Sequence, residues 1–186
     1  IIGKLHVKPK SAFPFDFKAI SSSNFSRRNM SAYAENAKRF FREDDKPFYL
    51  QVNYPDAHRP FITTVDKLPV KPLTGNDVDA IAYMGINHPE LKQQTADYYN
   101  CMMRLDAQIG ELLKVLEASG KAENTVVVYI GDHGADLLRG KRTSYEGGVK
   151  IPMIIRWPGA KGGKKRQELV STLDLVPTFC EIVQAS

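Results

Sequence analysis

Three polar clusters of the sequence combine residue types that can bind an anion, move a proton or hold a cation. In the first cluster, Lys4 and His6 lie two residues apart, so both side chains point to the same side of an extended segment. A lysine beside an imidazole can bind an anion and transfer a proton. Lysine and histidine near a strand end are more often simply solvated, so this pair alone does not establish a site.

The second cluster follows a β-prone run at residues 48–54 and centres on His58. Asp56 and Arg59 flank this histidine, which could act as an oriented acid or base beside an anion-binding guanidinium. A loop histidine that only caps its own turn explains the pattern equally well.

The third cluster begins with Asp132 and His133, directly after the valine-rich run Thr125–Ile130. An acidic residue at the end of a buried strand is costly unless it is hydrogen-bonded or ligates a cation, and the spacing leaves both open. The loop at residues 140–148 then places Lys141 and a neighbouring arginine among glycines, which suits a tetrahedral oxyanion. It lacks Walker A spacing, and an ordinary basic loop is an equal alternative.

The elements that must position these clusters follow from apolar periodicity, capping residues and β-propensity. These patterns predict helices over Ser31–Glu43, Glu90–Ser119 and Leu173–Val183, and strands over residues 48–54, Thr125–Ile130 and Pro152–Arg156. Residues 1–17 are predicted to be the tail of a further strand that runs into an ordered loop. Ser31 is the expected N-cap of the first helix, and the long helix should end at Gly120. Its apolar stripe, from Tyr98 to Leu116, is the expected buried face. Residues 61–89 are too irregular to assign.

The order of these elements predicts an α/β fold. The long helix leads through a short turn into Thr125–Ile130, a βαβ-type rhythm, and this valine-rich strand could be buried on both faces. In open α/β sheets, ligands bind outside the carboxyl ends of the strands, which is where the three polar clusters lie. The three clusters are therefore the candidate ligand-binding residues, and each is weighed by itself at this point.

Composition narrows the class of protein. With 186 residues, of which 42% are hydrophobic and 25% charged, the chain has the make-up of a globular domain, and its apolar runs are too short for a membrane span. The formal charge of +5 favours anionic partners without separating nucleic acid from sulfated sugar or phosphate. Cys101 and Cys180 fit neither a zinc-ligand spacing nor a C-x-x-C motif, so they do not indicate in which cellular compartment the protein resides.

Taken in order, the motifs resemble the sulfatase family of the alkaline phosphatase superfamily, and most closely its heparan N-sulfatase (sulfamidase)-like members. Five segments carry the resemblance: G-K-x-H at residues 3–6, the strand and loop at 47–60, Gly-Asp-His-Gly at 131–134, G-K-x-x-x-x-E-G-G-x-x-x-P at 140–152 and D-L-x-P-T at 174–178. Gly131 stands where the family usually has serine.

The resemblance implies an alkaline phosphatase-like sandwich of helices around a mixed, mostly parallel sheet. Residues 1–186 would be the central and C-terminal part of the catalytic domain, without the N-terminal nucleophile segment and the smaller C-terminal subdomain. The family uses a formylglycine made from the cysteine of C-x-P-S-R, a motif that is absent from the sequence. Cys101 lies on the long helix and is expected in the core. We therefore expect the chain alone to be inactive.

The resemblance also implies a role for each candidate. Lys4 and Lys141 would hold the sulfate oxygens, and His6 would assist the nucleophile. His58 would contact the sulfate or protonate the leaving group, with Arg59 beside it in the substrate site. The metal ligands implied are Asp132 and His133, which would hold a divalent cation, most often calcium in this family.

The function implied is hydrolysis of a sulfuric ester or N-sulfate, with a sulfated carbohydrate or other sulfate ester as partner and no nucleic acid. The parent protein would be exported, to the periplasm or outside the cell, or lysosomal; the oligomeric state stays unassigned. A metal-dependent phosphomonoesterase or phosphodiesterase of the same superfamily is the alternative, although the G-K-x-H and Lys141 motifs favour sulfate. A third possibility is a polyanion-binding module that uses the basic residues Lys161, Lys164, Lys165 and Arg166.

Overall fold

The computed structural model describes residues 1–21 and 27–184 and has a mixed α/β composition, as predicted. Eight helices and strands are present in these residues: β1 Ile2–Gly3, α1 Ala32–Glu43, β2 Val52–Asn53, α2 Pro89–Ala118, β3 Val127–Ile130, α3 Glu146–Val149, β4 Met153–Arg156 and α4 Leu175–Ile182. Four short 3-10 helices accompany them: Lys10–Ala12, Ala82–Met84, Ala122–Asn124 and Thr172–Asp174.

The strands form two separate pairs within the described residues. β1 pairs with β2 in parallel, with Ile2 opposite Val52, and β3 pairs with β4 antiparallel, with Val127 opposite Arg156. The expected βαβ arrangement for β3 is therefore wrong here, because its hydrogen-bonded neighbour is β4, the next strand along the chain. β3 is also half-buried, and Ile130 at its end is exposed, so burial on both faces is not observed.

A small apolar core joins α1, β1 and the C-terminal half of α2. Tyr33, Ala37 and Phe41 recur every four residues along α1, so they share one buried face. They pack with Ile2 of β1 and Leu116 of α2. Ser31 occupies the N-cap position of α1 as predicted, although its side chain makes no capping hydrogen bond.

Helix α2 confirms the long helix predicted from the sequence, but its buried face differs along its length. The helix starts with Pro89 and is followed by Gly120, whose φ of 75° is the left-handed conformation expected after a helix end. Leu105 and Leu116 of the predicted stripe are buried. The remaining buried residues of the helix are largely polar or small: Thr95, Ala96, Asn100, Cys101 and Arg104.

The polar part of this face exists because irregular chain covers it. Asn100 donates its side-chain amide to the Leu73 carbonyl at 2.9 Å and accepts the Leu73 N–H at 2.7 Å. Arg104 donates to the Ile62 carbonyl at 2.9 Å. Backbone groups outside a sheet or helix need partners when they are covered, and these side chains supply them. The unassigned segment 61–89 is thus ordered against α2.

The C-terminal part of the described chain is more exposed. A capping box between Ser171 and Asp174 precedes α4, which confirms the final helix, and α4 has no buried residue. The basic residues 161–166 are exposed and form no strand pair within the described part of the chain. In that part, no helix is both long and apolar enough to cross a membrane.

The α1–α2 core gives a stability prediction. Leu116→Ala should lower the free energy of unfolding by about 2–5 kcal/mol, because Leu116 is 4% exposed and its removal leaves a cavity. Glu117→Ala, at the adjacent exposed position, should change it by less than about 0.5 kcal/mol. Denaturant unfolding of both variants measures the difference. Equal effects would contradict the packing described.

Candidate functional site

The backbone around Lys4 is fixed where β1 ends beside β2. The Lys4 N–H donates to the Asn53 carbonyl at 3.0 Å, and the Asn53 side-chain amide donates to the Lys4 carbonyl at 2.7 Å. Gly3 has a φ of 96°, and a Cβ there would overlap the Asn53 carbonyl oxygen. Only glycine allows this approach, so the Lys4 side chain starts from a well-defined point.

Two glycine-containing segments of the loop at residues 131–148 pack directly on each other. The Gly134 N–H donates to the Gly148 carbonyl at 2.9 Å, and the Lys141 N–H donates to the Ala135 carbonyl at 2.8 Å. A Cβ on Gly134 would overlap the carbonyl oxygen of Gly147. The glycines therefore let the segment carrying Lys141 fold back against the segment that follows Asp132.

Lys4 lies among the charged groups of this loop. Its pKa is lowered, first by partial burial and then by the positive charges of Lys141 and Arg27, while the Asp132 carboxylate acts in the opposite direction. These charges influence Lys4 because they lie near it. The structure therefore brings together Lys4, Asp132 and Lys141, which the sequence placed at separate strand ends, and adds Arg27.

His58 is held by its own turn. Its N–H donates to the Pro55 carbonyl at 2.9 Å, and its ring Nδ1 lies 2.6 Å from the Arg59 carbonyl oxygen. A carbonyl oxygen can only accept, so Nδ1 is the donor and Nε2 carries the lone pair of the neutral ring. The His58 carbonyl in turn accepts a hydrogen bond from Arg27. Arg27 thus binds the His58 backbone and also contributes its charge near Lys4.

Arg59 connects two loops of the candidate site. Its Nε donates to the Asp136 carbonyl at 2.9 Å, and its Nη2 donates to Gln94 of α2 at 3.2 Å. The guanidinium also lies 4.6 Å from the centre of the Phe61 ring. These contacts hold the His58 loop against the loop that carries Lys141. A contact between Arg59 and substrate stays a prediction.

His6 is less closely integrated. It is exposed, and within residues 1–21 and 27–184 no hydrogen bond or ion pair joins it to the other candidate residues. Its predicted role in assisting a nucleophile stays a prediction.

The chemistry of Asp132 and His133 fits a shared cation. His133 Nδ1 lies 2.8 Å from the Gly134 carbonyl and must donate to it, which leaves a lone pair on Nε2 of the neutral ring. Nε2 lies 3.3 Å from a carboxylate oxygen of Asp132, whose side chain is 86% exposed. A cation between these two acceptors would satisfy both. The described residues contain no group of three or more His, Cys, Asp or Glu able to hold a metal, so this pair supplies only part of a ligand set.

A buried ion cluster beneath His58 was not predicted. Arg27 Nε donates to Asp56 at 3.0 Å, and Arg104 donates to both oxygens of the same carboxylate at 2.7 and 3.0 Å. All three side chains are at most 1% exposed. Sequence reasoning noted Asp56 only as a neighbour of His58. The sequence offered no clear signal for Arg104, since Asp97 and Glu111 lie seven residues to either side on the same helix face.

The two cysteines are not arranged as nucleophiles. Cys101 is fully buried, as predicted, and burial followed by the charge of Asp56 raises the pKa of its thiol to about 11. Cys101 is therefore protonated at neutral pH and packs as a core residue. Cys180 is exposed on α4.

Comparison with known proteins establishes the family to which this chain belongs. The model of the family described as Sulfatase matches residues 11–185. The chain belongs to the sulfatase family. Lys4 and His6 precede the matched range. This membership favours the sulfatase prediction over the phosphatase alternative.

Individual sulfatase relatives extend the match. Human N-sulphoglucosamine sulphohydrolase is 29% identical over 206 residues, covering 97% of this chain and 41% of the relative. An arylsulfatase from Clostridium perfringens is 29% identical over 173 residues, covering 78% of this chain and 36% of the relative. The chain thus spans about two fifths of the length of these curated relatives.

A solved structure supports the fold. The protein Ps i-CgsB, in complex with k-i-k-neocarrahexaose, superposes with a TM-score of 0.65 at 25% identity, covering 84% of this chain and 34% of that protein. Together with the family match, this similarity establishes the α/β sulfatase fold, of which the described residues form a part.

The glycine contact gives a second prediction. Gly134→Ala should lower the free energy of unfolding by about 1–3 kcal/mol, because the new methyl group cannot fit against the Gly147 carbonyl. Gly162→Ala is the matched control, since a Cβ there meets open space. Denaturant unfolding compares them. If Gly134→Ala were as stable as Gly162→Ala, the two segments would not pack as described.

Proposed function

We propose that this chain contributes the sulfate-binding part of a hydrolase that cleaves the sulfuric ester or N-sulfate of a sulfated sugar or other sulfate ester. The observation that carries the proposal is that Lys4, held at the end of β1, lies within electrostatic reach of Lys141 and Asp132 in the loop after β3. The names of the relatives, a sulphohydrolase of N-sulphoglucosamine and an arylsulfatase, support the substrate class.

The two lysines suit the charge of a sulfate group. A leaving sulfate spreads negative charge over its oxygens, and ammonium groups aimed at those oxygens stabilise that charge in the transition state. Lys4 starts from the fixed end of β1, and Lys141 from the folded loop after β3. Because their backbones are held independently, the two side chains can approach one anion from different sides.

We propose a divalent cation, with calcium first, as the partner of Asp132 and His133. When bound, such a cation would polarise a sulfate oxygen as a Lewis acid. Calcium takes six to eight ligands, mostly oxygen, so further ligands would come from outside this pair. Asp132 provides a carboxylate, and the His133 Nδ1–H bond to Gly134 keeps Nε2 as the ligating nitrogen.

The histidines are assigned to proton transfer. His58, when protonated, would give its Nε2 proton to the departing oxygen or nitrogen, or hydrogen-bond the sulfate through it. We assign to His6 the role of assisting the nucleophile. That nucleophile, a formylglycine in this family, would come from outside residues 1–186, because neither cysteine lies in a C-x-P-S-R motif.

We further propose that residues 1–186 form the central and C-terminal part of a larger catalytic domain. The coverage of about two fifths of the relatives supports this organisation. So does the exposed apolar surface: adjacent residues Ile154 and Ile155 of β4 are 63% and 46% exposed, although they point to opposite faces. Helix α4 is rich in apolar residues and buries none of them. Further chain packed on these surfaces would cover them.

The anion site is testable in the chain itself. NMR titration with sulfate, against chloride at equal ionic strength, should perturb signals of the Lys4 and Lys141 loops. Lys4→Met and Lys141→Met should each weaken sulfate binding about 10-fold, the equivalent of one charge-assisted hydrogen bond. Lys161→Met is the control with the same charge change on an exposed segment. Weaker binding only in that variant would instead support the polyanion-binding module.

Turnover provides a separate prediction. The pure 186-residue chain should not hydrolyse an aryl sulfate in the presence of calcium, because its sequence lacks the nucleophile motif. In addition, residues 1–21 and 27–184 hold no cluster of three or more metal-ligating side chains. A colorimetric assay with a complete sulfatase as positive control measures this. Hydrolysis by the pure chain would overturn the proposed division of the catalytic domain.

A further inference from the structure

The buried cluster of Arg27, Asp56 and Arg104 is costly for stability alone. Two guanidinium groups share one carboxylate, and all three side chains are removed from water. Taking ions out of water is unfavourable, and apolar residues of similar volume often stabilise a fold as well or better. A cluster with one excess positive charge next to a candidate site therefore calls for a role other than packing.

Arg27 connects the cluster directly to the backbone of His58. Its Nε donates to the Asp56 carboxylate at 3.0 Å, and its Nη2 donates to the His58 carbonyl. Both donors belong to one rigid, planar guanidinium. The Asp56 side chain and the His58 backbone are therefore fixed relative to each other.

Arg104 connects the same carboxylate to helix α2. Its Nε and Nη2 bind the two Asp56 oxygens, and its Nη1 donates to the Ile62 carbonyl at 2.9 Å. One side chain of a 30-residue helix thus holds the His58 loop on both sides of the histidine.

The orientation of the His58 ring depends on this loop. Ring Nδ1 is hydrogen-bonded to the adjacent Arg59 carbonyl, so the direction in which Nε2 points follows the local backbone. We propose that Arg27, Asp56 and Arg104 are positioning residues for His58, which fix its turn on helix α2 and keep its ring in the Nδ1–H form with Nε2 facing the anion site. The positioning of His58 does not depend on the proposed function. The inference rests on that function only where it says what the orientation of Nε2 is for.

The test is the protonation pattern of His58, measured by ¹⁵N NMR of the imidazole nitrogens in the full chain. The chain has four histidines, so single His→Gln variants assign every signal. Wild-type His58 should show a single Nδ1–H tautomer when neutral. Arg27→Lys should shift it toward tautomer averaging, because one ammonium cannot reproduce the planar arrangement of Arg27 that joins Asp56 to His58. Arg104→Lys should produce a smaller shift in the same direction.

The matched control is Asn100→Ala. Asn100 is also buried on α2, and it makes two hydrogen bonds to the Leu73 backbone instead of contacting the turn of His58. This variant should leave the His58 tautomer unchanged. The tautomer of His88 should be unchanged in all three variants, Arg27→Lys, Arg104→Lys and Asn100→Ala. Unchanged His58 signals in Arg27→Lys, or an equal shift in Asn100→Ala, would overturn the proposal.

A measurement on the wild-type chain covers the case in which the arginine variants do not fold. The Nε–H protons of Arg27 and Arg104 should exchange with water far more slowly than those of exposed arginines such as Arg142. Rapid exchange, or averaged tautomers of His58, would overturn the proposal. Because neither readout uses sulfate or turnover, failure of the proposed function would leave this result unaffected.

Discussion

The irregular chain that follows β2 depends on helix α2 for its hydrogen bonds. Covered backbone outside a sheet has no regular partners, and α2 supplies them through Asn100 and Arg104. This requirement explains why the helix buries polar residues near the site and apolar ones at its other end, against α1. One helix therefore joins the apolar core to the loop that carries His58.

Close backbone contact is the second constraint on the site. Gly3 and Gly134 each lie where a Cβ would overlap a neighbouring carbonyl oxygen. These glycines allow the segments of Lys4 and Lys141 to approach other backbone without intervening side chains. The Lys4 and Lys141 side chains thus extend from rigid backbone, which would limit the conformations to be ordered in the proposed anion binding.

The sequence was sufficient for features that are encoded locally. Helix periodicity and the glycine after α2 predicted α1, α2 and α4 closely, because these signals lie within each element. Strands were predicted longer than observed, since a strand is defined by its partner and β2 pairs over only two residues. That Lys4, Asp132 and Lys141 serve one site was implied by the family resemblance and not by any local pattern, and the roles of these residues stay predictions. The link from Arg27 to Asp56, 29 residues apart, depends on tertiary packing and has no periodic signal.

The charges around Lys4 fit the proposed anion binding better than they fit the stability of the protein alone. Lys4 lies near the cations Lys141 and Arg27 and near one anion, Asp132, and burial together with these cations lowers the pKa of Lys4. Positive charges that repel one another are unfavourable in the protein alone but favourable once an oxyanion lies among them. A cation held by Asp132 would offset that carboxylate and strengthen the attraction for an anion. Local departures from the most stable arrangement are expected at functional sites, and here they involve the predicted residues Lys4, Asp132 and Lys141 together with Arg27, which the sequence did not indicate.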